Sequence, residues 1–319
     1  MSKRYLVPFA ETARHLVIFL IAWVPLHAQA WAQRGHAMIA NAAAYVLADQ
    51  HKIFKDKSFD LEYYSNVPDK VWKADSAVEA GERPEHYINL EIYQRETKLV
   101  TPPFEPGRIE FFKKWPSLKD SGGRAYWRID ELSHELAQVA GRLKSSTVTE
   151  VKAHHELQAR WLLLAGILSH YVGDLAMPLH MSENKDGEMT NQKGIHAYFE
   201  GDVVDHIYPE IAEDVLDRAK SRWAEYHKKN QKLSVFELVM AHGAASFAKK
   251  NELLRLDRIK GRELKNASSQ YRSLVLERLT SASLCLAEIW SRHLGWKYNS
   301  ARFFNFDPKP AYIFPPHAL

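Results

Sequence analysis

The chain has 319 residues, with 43 basic against 39 acidic side chains, 46% hydrophobic composition and one cysteine. That length and apolar content allow a sizeable core without covalent staples, and a lone Cys285 excludes an internal disulfide. The formal charge of +4 is too small an excess for a surface built on broad phosphate neutralisation.

In chain order the first feature is a leader. Lys3, Arg4 and Arg14 flank an apolar run, LVIFLIAWVPL at 16–26, and Ala28-Gln29-Ala30 forms a small-residue A-x-A site. This is the pattern of a secretory signal peptide over residues 1–30, cleaved between Ala30 and Trp31. The apolar run rises about 16 Å as a helix, too short for a membrane span. The remaining chain, 31–319, is expected to be secreted or periplasmic, with no stable membrane span. Three basic residues and one acidic residue leave with the leader, so the charge falls from +4 to +2. Trp31 then becomes the first residue. Its free amine and carbonyl, with the His36 imidazole, can together hold a transition metal.

Helical periodicity dominates the rest of the chain. Helices are expected at 37–47, at 127–143, and at 157–172, where almost every residue is apolar and the helix should be central and buried. Another should run from His196 to about Lys228 with a break or kink at Pro209, and two more at 235–247 and 274–294. Strand signals are nearly absent. The proline-rich stretch 97–124 reads as a long irregular excursion, a kind of segment more often functional than incidental. The aromatic, proline-rich tail after Trp296 is expected to lie as extended chain on the surface. One all-α domain is predicted, with Cys285 an inert core residue.

Three clusters carry chemistry beside the N-terminal one. In HYVGDLAMPLH, His170 and Asp174 are four apart and share a helix face, and Pro178 breaks the helix so that His180 can turn back. In GIHAYFEGD, His196 and Glu200 are again four apart. PDKVWK supplies Asp69, and HYIN supplies His86. Each cluster has an ordinary alternative: a solvated i,i+4 ion pair, a partly buried histidine, or a helix cap at Asp69. Charged groups on so apolar a helix, however, must be paired or metal-bound. Imidazole and carboxylate are the zinc donors expected where thiolates are missing. The supply suits three ions. Asp69 is preferred to Asp75, whose neighbours look like surface. The remaining histidines read as surface or core, with His154 and His155 placed before their helix becomes buried.

Taken together, these motifs resemble the zinc-dependent phospholipase C and S1/P1 nuclease superfamily, in order from Trp31 to about Asp205. The resemblance implies an all-α fold with a zinc cluster in a cleft between helices, and three zinc ions. It implies that Trp31 ligates through its amine and carbonyl and that His36 joins the same cluster. Asp69, His86, His170 and Asp174 would surround a second ion, with Asp174 bridging, and His180, His196 and Glu200 would hold a further one. It further implies a phosphodiesterase in which Asp69 orients or deprotonates the attacking water.

The substrate is expected to be a phospholipid or single-stranded nucleic acid, with no obligate protein partner. Glu200 as the last ligand and the short interval from His180 to His196 lean toward the phospholipase C branch. Lys70 and Lys73 would suit an anionic headgroup or an extra phosphate, and Trp72 could stack a base in a nuclease. A secreted zinc-binding helical protein without turnover is the alternative from another class.

Overall fold

The computed structural model describes residues 31–146 and 151–300; the expected leader with its cleavage site and the tail beyond 300 lie outside these. The described residues are mostly helical and contain no strand, as an all-α chain requires. No described helix is long and apolar enough to cross a membrane.

The organising element is the helix Val151–Ala176. From Leu164 to Ala176 every residue is buried, polar Ser169, His170 and Asp174 included. A helix so enclosed needs neighbours on most sides, and it has them. We number the long helices α1 (Gln33–Leu47), α2 (Ser58–Tyr64), α3 (Ala125–Ser145), α4 (Val151–Ala176), α5 (Val204–Asn230), α6 (Val235–Phe247) and α7 (Ala267–Ser291). Helices α1, α2, α3, α6 and α7 all pack on α4, while α5 closes the outer side against α1 and α7. Each predicted helix is present. Helices α1, α3 and α4 run longer than the apolar pattern, and α7 begins seven residues before its expected start at 274 but stops at Ser291, short of the expected 294. The helix expected from His196 begins instead as short turns over 195–203 and becomes α5 only at Val204. Helix α6 keeps its predicted bounds, since Ser234 and Glu237 form a reciprocal capping box at its start.

Three further expectations are corrected. The stretch 97–124 contains two short helices, Arg108–Lys114 and Leu118–Ser121, with prolines only between and around them. Pro209 does not break its helix, since α5 runs through it. Proline removes the N–H that would bond the Asp205 carbonyl, and that carbonyl instead accepts from Arg34 Nη1 at 3.3 Å. His154 and His155 are buried. His154 Nδ1 lies 2.8 Å from Ser146 Oγ and its Nε2 lies 3.0 Å from the Lys297 carbonyl, which ties down the chain after α7. Cys285 is buried as expected, and that burial pushes its thiol up to about 12.

Short irregular turns, rather than the long helices, present much of the site. Asp69 sits in a π-helical turn, Pro68–Trp72, and Glu200 in a second one, Tyr198–Val203. His86 ends a 3₁₀ turn, Arg83–His86, and His180 lies in another, Pro178–Met181, immediately after Pro178 stops α4. Each π turn contains one residue more than an α turn and so re-aims the side chains it carries.

Candidate metal centre

All nine residues singled out in the sequence are buried. Eight of them fall into three groups whose donor atoms lie within 4.8 Å of one another: His36, Asp69 and His170; His86, His170 and Asp174; His180, His196 and Glu200. His170 belongs to two groups. Each group could hold a metal ion. Asp174 lies between all three, its Oδ2 2.8 Å from His86 Nδ1 and its Oδ1 3.5 Å from His36 Nε2 and 3.8 Å from His180 Nδ1. Trp31 and His36 stay adjacent, with the His36 N–H 3.4 Å from the Trp31 carbonyl. Trp31 has φ +31°, and its indole Nε1 donates to the Gly173 carbonyl at 2.7 Å. That turns its backbone N–H to Glu200 Oε2 at 3.1 Å, whereas His36, already inside α1, faces α4.

The protonation pattern is set by the outer partners. His170 Nδ1 meets the Ser65 carbonyl at 2.8 Å, His180 Nδ1 the His86 carbonyl at 2.7 Å, and His196 Nδ1 the Lys185 carbonyl at 2.6 Å. A carbonyl only accepts, so each Nδ1 carries the proton and each Nε2 turns a lone pair inward. His180 and His196 thus face each other lone pair to lone pair at 3.1 Å, with Glu200 Oε2 2.9 Å from His196 Nε2. Three such groups converging in a dry site need a shared proton or a cation among them. Both ring nitrogens of His36, Asp174 Oδ1 and Glu200 Oε1 are likewise buried without a hydrogen-bond partner. The donor set fits a metal that takes nitrogen and oxygen.

Charges in the site are strongly coupled. Burial alone would push the Asp69 carboxyl up, but the Lys73 ammonium and the His170 and His86 imidazoles hold it well below the usual carboxylate range. Burial opposes ionisation of Asp174 too, and His170, His180 and His86 outweigh it. Glu200 behaves oppositely: burial pushes it up to about 7 despite His196, with Asp69 and Asp174 adding repulsion. His180 is driven down to about 3, chiefly by burial. It therefore stays neutral at any ordinary pH, the form a metal requires.

Several side chains take parts that the sequence does not show. Lys73 Nζ reaches Asp69 Oδ1 at 2.6 Å, so it turns inward and neutralises a carboxylate, while Lys70 stays exposed. Trp72 is 2% exposed and packs under the Arg128 guanidinium, 5.8 Å from its ring centroid. It cannot stack a base. Asp75 caps the helix Ser76–Glu82 through the Ala77 N–H, at 2.9 Å, which leaves Asp69 to the cluster. Glu82 is fully buried behind His86, yet a glutamate four residues before a histidine reads in sequence as an ordinary ion pair. Gly173 makes room for His36, since a Cβ there would sit 2.8 Å from the His36 Nδ1. No family model matches the chain, and no curated protein matches it.

Proposed function

We propose that the protein is a secreted zinc phosphodiesterase with three ions, inclined toward phospholipase C-like release of a phospholipid headgroup. One observation carries this reading: imidazoles and carboxylates form three buried groups, with members 2.8–3.6 Å apart within a group, and Asp174 lies 3.8 Å from His180 of the third. Tetrahedral zinc with ligands near 2.0–2.1 Å has ligand–ligand edges of about 3.3 Å, which falls within the 2.9, 3.1 and 3.9 Å edges of the His180, His196 and Glu200 group. His36, Asp69, His86, His170 and Asp174 would hold the other ions, and the Trp31 amine would join once the leader is removed. Bound zinc supplies a water acidic enough to ionise near neutral pH and charge to clamp phosphoryl oxygens.

The chain's own residues do the rest. Asp69 is kept ionised beside Lys73, so it would orient the attacking water by accepting its hydrogen bond. The Ser65, His86 and Lys185 carbonyls fix three imidazoles so that no reorientation is needed during reaction. Asp69, His180 and His196 keep 6–7% exposure while His170 and Asp174 keep none, which marks the side from which substrate enters. A cavity of about 640 Å³ is lined by sequence neighbours of the cluster, among them Arg34, Lys70, Phe59 and Tyr63. Cations beside exposed aromatic rings suit a phosphorylated amphiphile with an anionic headgroup.

A second reading, an S1/P1-type single-strand nuclease, draws on Phe59 and Tyr63, 82% and 54% exposed and one helical turn apart, as a stacking surface. The deciding experiment measures zinc content after chelation and reconstitution, then hydrolysis of phosphatidylcholine, phosphatidylinositol and single-stranded DNA side by side. Diacylglycerol release without nucleotide release is expected; the reverse selects the nuclease. Full zinc content with no hydrolysis of any phosphodiester leaves a zinc-binding protein without turnover. A chain starting at Trp31 is expected to hold more zinc than one carrying an extra residue before it.

A further inference from the structure

His86 is turned opposite to three other imidazoles of the centre. His170, His180 and His196 each spend Nδ1 on a backbone carbonyl and face inward through Nε2. His86 is reversed: its Nδ1 faces inward, 2.8 Å from Asp174 Oδ2 and 3.1 Å from His170 Nε2, and its Nε2 points outward. No carbonyl meets that Nε2. Glu82 Oε1 lies 3.3 Å from it, an ion-pair contact rather than an aligned hydrogen bond.

Glu82 is itself held at both oxygens. It is 0% exposed, its Oε1 accepts the Tyr171 hydroxyl beside His86, and its Oε2 has Arg128 Nη2 at 3.8 Å. The Arg128 guanidinium is pinned between the Trp72 and Tyr171 rings, 5.8 and 5.3 Å from their centroids. The neighbouring Glu85 receives two bonds from Arg108, at 2.9 and 2.6 Å, and one contact from Arg124 Nε at 2.8 Å, which lock the same turn from the other side. So costly a set of buried charges holds one carboxylate oxygen against one imidazole nitrogen.

We propose that Glu82 is a positioning residue for the metal centre: it fixes His86 as the Nε2–H tautomer and thereby presents the Nδ1 lone pair to the ion shared with His170 and Asp174. This rests on the metal-binding reading of the centre. The carboxylate also makes the imidazole a stronger donor, as an anion behind a metal-bound histidine does. The influence reaches a second group through the backbone. The His86 carbonyl accepts His180 Nδ1, and the Ile88 N–H donates to the His180 carbonyl at 2.9 Å. A ring flip at His86 would therefore disturb the turn that aims His180.

The test uses the full chain and three proteins: wild type, E82Q and E82L. Zinc affinity is read by competition with a chromophoric chelator, and the His86 tautomer by long-range ¹H–¹⁵N spectra of the metal-free protein. E82Q can still accept the Nε2–H through its amide oxygen but has no charge, so we expect its weakest-held ion to loosen by about tenfold with the tautomer kept. E82L should lose about 10–100-fold and show the tautomer mixture of a free imidazole. Should E82L fail to fold, the near-isosteric E82Q decides alone: zinc affinity equal to wild type overturns the proposal. So does a folded E82L with wild-type affinity and an unchanged tautomer. A wild-type chain that competes for no zinc at all would instead overturn the metal-centre reading itself.

Discussion

Asp69 joins two kinds of group at one oxygen: Oδ1 lies 2.6 Å from the Lys73 ammonium and 3.6 Å from His170 Nε2. Asp69→Asn keeps the shape and removes the charge that orients the water. The expected outcome is a fall in kcat of about 10²–10⁴-fold on a chromogenic phosphodiester; unchanged kcat at full zinc content would remove Asp69 from catalysis. His242, on α6, shows what burial does to a histidine away from the centre. Burial and the nearby Arg278 press it down to about 3, with Ser281 Oγ 3.3 Å from its Nδ1. The unfolded chain protonates this residue near pH 6.5, whereas the folded chain resists until about pH 3. Between those values the unfolded state binds the extra proton, so stability is full above pH 6.5 and drains away as pH falls. In chelator, where the centre is metal-free in both proteins, His242→Gln should flatten the dependence of Tm on pH between about 6.5 and 4. A slope equal to wild type would show that His242 contributes nothing to acid unfolding.

Elements position the residues only as well as they pack. Gly166 lies where α2 crosses α4, and a Cβ there would meet Tyr64 Cβ at 2.3 Å. The same crossing brings the Ser65 carbonyl to His170 Nδ1. Gly166→Ala should cost roughly 1–3 kcal/mol by overpacking and, by shifting Ser65, weaken zinc binding about 10–100-fold. Thermal unfolding in chelator reads the first effect and chelator competition the second; an affinity loss without a Tm change would mean the crossing is not tight. The helices themselves were legible, because α4 and its neighbours bury stripes that repeat at three and four residues. Asp69, His86 and the two i,i+4 pairs were legible by residue type and spacing. The π turns under Asp69 and Glu200 were not, since an inserted residue leaves no trace in a short periodic pattern. The inward turn of Lys73, the burial of Trp72 and the part played by Glu82 depend on groups such as Arg128 and Tyr171, far away in sequence, so no local reading could show them.

For the molecule as a whole, stability must come from its core and, on the metal reading, from bound ions. With Cys285 the single cysteine, a reductant should leave Tm unchanged, whereas a chelator should lower it. Each site filled at about 100 times its Kd contributes about 2.7 kcal/mol. Equal Tm with and without chelator would deny the ions any structural part. The centre also constrains the order in which the molecule can be made. Trp31 and Glu200 meet across 169 positions, and His86 and Asp174 across 88. Such distant pairings form slowly, after the cost of closing the intervening chain has been met. A chain emerging from left to right therefore holds only fragments of the centre until Glu200 is out. On the metal reading, loading is a late event that waits for Glu200, the last donor of the centre.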